Sequence, residues 1–192
     1  MRGDFAMKVG QSRKKGFTLV EVLVVVVIMG ILSSMGVVSI AGAVANARVK
    51  DYAQNTAAFF ERIANDANRM SKPLCIKIDR ERRNPVFLVY TDAACETDLY
   101  DSLVLETPAR YDCVSEFEDD LFESFCQNEG SDNSDWSNGV FFRPRIGLSA
   151  APSKMSLCIQ YGDDRVFGGI VKCANKNMIL PVWNSGDAWL SL

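Results

Sequence analysis

Two groups of residues in this chain could do chemistry: one carboxylate, Glu21, near the head of an apolar run, and six cysteines, Cys75, Cys95, Cys113, Cys126, Cys158 and Cys173. An acid at a bilayer centre costs about 2.5–3.5 kcal/mol, and less near the interface, so Glu21 calls for a positive partner. At headgroup level it would instead snorkel to water and need none. The even cysteine count favours disulfides in an exported domain, and six thiols allow fifteen connectivities among which sequence does not choose. The alternative is that one pair, with Cys75 or Cys158 inside strands, stays reduced as small buried side chains. No CxxC pair is present, and histidine is absent, which removes Ser-His-Asp and Cys-His catalysis and leaves zinc only widely spaced ligands. Gly162-Asp163-Asp164 and the acids around Glu118 lack calcium-loop spacing and read as a turn and a solvated face. Gly168-Gly169 lacks a phosphate-binding pattern and reads as a bulge. Neither enzymatic activity nor a metal or cofactor is expected.

The elements that must carry these groups begin with a helix. Residues 22–47 contain no charge; about 26 residues at a rise of about 1.5 Å span roughly 39 Å, enough to cross a bilayer with some tilt. This is too long for a secretory signal core, and the glycine, Gly16, stands before the core instead of a small-residue cleavage site after it. Residues 1–16 carry a formal net charge of +4 against −3 for the chain, leaving the remainder at about −7. The basic end stays cytoplasmic and the acidic body is exported.

The stretch Lys14-Lys15-Gly16-Phe17-Thr18-Leu19-Val20-Glu21 and the run after it resemble the class III signal of type IV pilins and type II secretion pseudopilins. The resemblance implies a leader over 1–16, cleavage by a prepilin peptidase between Gly16 and Phe17, N-methylation of Phe17, and a transmembrane assembly helix over 17–47. It also implies that Glu21 meets the terminal amine of a neighbouring subunit, which is the partner the buried carboxylate calls for. Many pilins carry a proline in this helix half. Here only Gly30, Gly36 and Gly42 could soften it or let helices approach closely.

Beyond the run, Val49, Tyr52, Ala53, Thr56, Phe60, Ile63, Ala67 and Met70 recur at three- and four-residue intervals, an amphipathic continuation over 48–72 that seats a sheet. Pro73 ends it near Ser71. Strands follow at 74–79 and 85–91 as a hairpin, at 103–105, and after an acidic stretch over 112–138 that holds a short amphipathic helix in a long loop and a mobile turn at 129–135. Further strands read at 139–142, 155–161 and 165–172, with Gly162-Asp163-Asp164 turning between the last two. The fold class is α+β: one long N-terminal α-helix, half membrane and half amphipathic, packed on a β-rich antiparallel head over 73–192.

Residues 64–76 and 139–147 are similar to the GspH/FimT group of minor pilins. That resemblance implies a pilin-like structural subunit of a type II secretion or type IV pilus filament. Its partners would be other pilin subunits, the prepilin peptidase, an inner-membrane assembly platform and secreted cargo. Its location would be the inner membrane by a single pass with the head periplasmic, then the filament. Two alternatives are a DNA-binding minor pilin for natural transformation and an anchored domain that never polymerises. Lys77, Arg80, Arg82 and Arg83 form one basic cluster, and Arg143, Arg145 and Lys154 another, but the acidic mature chain ranks nucleic acid as the lesser partner.

Overall fold

The computed structural model describes residues 16–81, 84–111, 113, 115–127, 129–130, 135–145, 150–162, 166–186 and 188–192, with the side chains of 34–39 and 115–119 excepted. Residues 1–15 of the expected leader, Arg82, Arg83, most of the turn at 129–135 and the Asp163-Asp164 turn lie outside the described residues. The chain divides into two compact units, Met1–Ile40 and Ala41–Leu192.

Helix α1 (Leu19–Met70) belongs to both units and runs through Gly30, Gly36 and Gly42 without interruption. Its end shows why Ser71 stops it. The Lys72 amide donates to the Ala67 carbonyl at 3.2 Å and the Ser71 amide to Asn68 at 3.1 Å, with Ser71 at φ 52°. This pair of bonds is the Schellman arrangement, which satisfies carbonyls that have lost their helical partners. Pro73 then sends the chain into a strand.

In the second unit two antiparallel sheets form the head. One has the order β3 (Leu99–Val104), β2 (Val86–Tyr90), β1 (Leu74–Asp79), β5 (Val140–Phe142). The other has the order β4 (Ala109–Arg110), β6 (Met155–Tyr161), β7 (Val166–Lys172), β8 (Leu180–Asn184), β9 (Trp189–Ser191). The third strand is therefore longer than the expected 103–105 and begins four residues earlier. β4, β8 and β9 were not foreseen. Gly168 and Gly169 sit in unbroken register opposite Ile159 and Cys158, so the bulge expected there is absent; the irregularity lies between Val89 and Tyr90.

The α1 portion from Ala41 onward seats both sheets. Val49, Ala53, Thr56, Phe60, Ile63 and Ala67 are buried, and Tyr52 and Met70 are half-buried, as the periodicity predicts; Ala45, Ala57, Phe59 and Ala64 join them. Phe60 is the hub: its ring lies 5.1 Å from Phe87, 5.3 Å from Trp136 and 5.9 Å from Phe142. Burying such a ring stabilises by roughly 1.5–3 kcal/mol, with aromatic geometry adding to that. Trp136 also ties the sheets together, donating through Nε1 to the Ser156 carbonyl at 2.9 Å while its own carbonyl accepts from Ile78 at 3.0 Å.

Nearly all of β7 is buried, which requires cover on both faces. One face belongs to the α1 core, through Ile170. On the other, Phe167, Val171 and Cys173 join Cys158, Val182, Cys113, Cys126, Leu121 and Phe122 in a second core. Leu121 and Phe122 come from helix α2 (Ser115–Phe125). The acidic stretch that read as a loop with a short helix in it thus supplies a covering layer for the five-stranded sheet.

Candidate assembly segment

The first turn of α1 is built by Thr18 and Glu21. Thr18 precedes the first helical residue and Glu21 stands third in the helix, the spacing at which a hydroxyl and a carboxylate can each satisfy the other's backbone N–H. The Thr18 amide donates to Glu21 Oε2 at 2.9 Å, the Thr18 hydroxyl donates to the same oxygen at 3.0 Å, and the Glu21 amide donates to Thr18 Oγ1 at 3.3 Å. This capping box was written in the sequence as Thr-x-x-Glu before an apolar run, and reading Glu21 only as a membrane acid missed it. Both side-chain bonds use Oε2. Among the described residues no hydrogen bond falls on Oε1, so the cap leaves the carboxylate an acceptor.

Over residues 17–33 the large apolar side chains of the helix are exposed to solvent. Phe17 is 86 % exposed, Leu19 80 %, and Val22, Val24, Val26, Ile28, Ile31 and Leu32, which point in every direction round the helix, are all about half exposed or more. A helix apolar on all sides belongs in lipid or among other helices. Among the described residues no helix is long and apolar enough to cross a membrane; the side chains of 34–39, in the middle of the charge-free run, are outside that description. A Cβ on Gly30 or Gly42 would meet nothing within 4 Å, so no contact inside the described chain requires glycine at either position. Gly16 is exposed, with open space around it.

The six cysteines form three disulfides: Cys75–Cys95, Cys113–Cys158 and Cys126–Cys173. No cysteine is free, so the alternative of a reduced Cys75 or Cys158 is overturned. Cys75–Cys95 ties β1 to the turn after β2 and lies against Gly139, at φ 101°, where a Cβ would fall 2.7 Å from both sulfurs. The other two bridges bracket α2, one to β6 and one to the end of β7, and hold the covering layer at both ends. Glu129, just past α2, fastens the same corner by accepting from the Ala174 amide at 2.6 Å. Cys126, Glu129 and Cys173 come together, but the disulfide leaves no thiolate for a metal.

The described members of the two basic clusters line different grooves. Lys77 and Arg80 line one groove with Asp79, Glu81 and Glu96. Arg143, Arg145 and Lys154 line another with Asp135, and Lys154 Nζ donates to the Glu129 carbonyl. The Asp135 carboxyl is held below its ordinary pKa by the Ser137 amide, then by Asn138.

The family model described as the prokaryotic N-terminal methylation motif matches residues 11–44. That stretch contains Gly16, Phe17, the Thr18–Glu21 cap and most of the uncovered apolar helix. No curated protein and no solved structure matches the chain.

Proposed function

We propose, starting from a type IV pilin-like precursor that carries the N-terminal methylation motif, that this chain is a minor pilin-like structural subunit of a type II secretion or type IV pilus filament. The observation that carries the reading is the join of that motif to a helix start whose apolar side chains are uncovered all round. Prepilin peptidase cuts between Gly16 and Phe17, leaving an ammonium at the new terminus. In the inner membrane the helix is held by lipid; in the filament the same side chains are covered by neighbouring helices. Glu21 carries the charge that sets register, because its capped carboxylate keeps Oε1 for the Phe17 ammonium of an adjacent copy. The head, periplasmic before assembly, decorates the filament and meets other pilins or secreted cargo. The role is structural, with no reaction of its own.

Glu21→Ala tests this. Loss of incorporation into sheared filaments with membrane insertion intact is the expected result. Unchanged incorporation would favour an anchored domain that does not polymerise.

DNA binding is the second reading, and what supports it is the gathering of Arg143, Arg145 and Lys154 on one groove. The net charge of the chain, −3, weighs against it. Retention of duplex DNA by the purified protein, falling steeply with salt and lost in Arg143→Ala/Arg145→Ala, would raise it above the first; no binding at low salt would remove it.

A further inference from the structure

Across the five-stranded sheet, contacts step down α1 strand by strand. Tyr161 of β6 stacks with Tyr52 at 6.4 Å. Gly168 of β7 lies against Val49, close enough that a Cβ would come within 2.6 Å of Val49 Cγ1. Trp183 of β8 donates through Nε1 to Asn46 Oδ1 at 3.2 Å, with the Lys50 ammonium 3.7 Å above its ring. β9 follows β8 in the sheet, and before Asn46 α1 carries the last turns of the charge-free run. Leu190 pairs with Trp183 and shares its face, and Leu192 lies two residues on. Leu190 and Leu192 are 47 % and 40 % exposed, and Val44 of α1 is 47 % exposed. The end of the run thus carries exposed apolar side chains, an amphipathic tryptophan, and Arg48 and Lys50 at the first charged turn.

We propose that this edge of the head, formed by Trp183, Leu190 and Leu192 with Lys50 and Arg48, rests in the headgroup layer of the membrane before the subunit is assembled. The inference rests on the membrane reading of α1 and adds a second contact to it. Lipid is the occupant because the patch is continuous with the run that enters the bilayer. Its composition, an aromatic ring with a polar edge between aliphatic residues and cations, is also that of an interfacial belt facing anionic headgroups. The contact is given up when the subunit leaves lipid for the filament.

The test uses the full chain in vesicles of phosphatidylethanolamine and phosphatidylglycerol whose acyl chains carry bromine close to the headgroup, a tryptophan quencher. Flotation first establishes that the chain is in the membrane. The proposal expects tryptophan emission to fall relative to unbrominated vesicles, and Trp183→Phe to abolish the fall. Leu190→Ser, at an exposed position that does not threaten folding, is expected to lessen it. A chain that floats but shows no fall, or a fall unchanged by Trp183→Phe, overturns this contact and leaves the membrane reading standing. A chain that fails to float overturns both.

Discussion

One carboxylate oxygen of Glu21 accepts both the amide and the hydroxyl of Thr18, at 2.9 and 3.0 Å. The acid proposed to register neighbouring subunits is therefore also the reciprocal half of its own helix cap. The two roles separate by mutation. Glu21→Gln keeps an acceptor for the Thr18 amide and removes the charge, so the helix start is retained and filament incorporation is lost. Thr18→Ala removes the hydroxyl, costs about 1 kcal/mol at the helix start and keeps the charge, so incorporation persists. Immunoblots of sheared filaments beside membrane fractions read the difference. The reverse pattern would assign Glu21 to capping alone.

Ser71 holds a left-handed backbone, φ 52°, at the end of α1. Glycine takes that conformation without its Cβ penalty, and the Schellman bonds from Ser71 and Lys72 are made by backbone alone. Ser71→Gly is expected to raise stability by about 0.5–1 kcal/mol, read as a higher urea midpoint with unchanged slope. An unchanged or lower midpoint would contradict the cap.

At Gly168 helix and sheet approach closely. A methyl there meets Val49 Cγ1 at 2.6 Å and the Val182 carbonyl at 3.2 Å. Gly168→Ala forces β7 and α1 apart and is expected to cost about 1–3 kcal/mol. Val49→Ala in the same chain should recover part of this loss, a coupling that a double-mutant cycle in urea measures.

Lys172 is 4 % exposed, and its ammonium donates to the carbonyls of Pro152 at 2.8 Å and Ser153 at 3.2 Å. Burial lowers its pKa below the ordinary 10.5, and Glu129 opposes the shift. Between the lowered folded pKa and the ordinary value the unfolded chain binds the proton more readily, so this residue makes stability rise with pH across that window. Urea midpoints taken from neutral pH toward 10.5 should climb in the wild type more than in Lys172→Met. Parallel curves would mean that the ammonium is no less stable in the fold than in water.

The helix was legible because its residues obey one period. Val49 to Met70 repeat at three and four, and Pro73 marks the stop. β1 and β6 were legible as short apolar strands between turn residues, and they fall at 74–79 and 155–161 as expected. β8 was hidden by Pro181, which argues against an inner strand, although its carbonyl accepts the Leu192 amide at 2.9 Å within the pairing. β9, three residues long, offers too little pattern to read. Disulfide partners depend on which strands lie side by side, and that order is set by sheet topology rather than by cysteine spacing. Likewise the acidic stretch could be read as an amphipathic helix, but only the second face of β7 explains what its apolar side covers.

The central claim is that this chain enters the pilin pathway, and the terminus and mass of the protein recovered from membranes test it most directly. With a co-expressed prepilin peptidase the account predicts a chain that begins at N-methylated Phe17; without the enzyme, the same preparation retains Met1 to Gly16. A chain that keeps those residues in both preparations would contradict the account and remove the free amine on which the role of Glu21 depends.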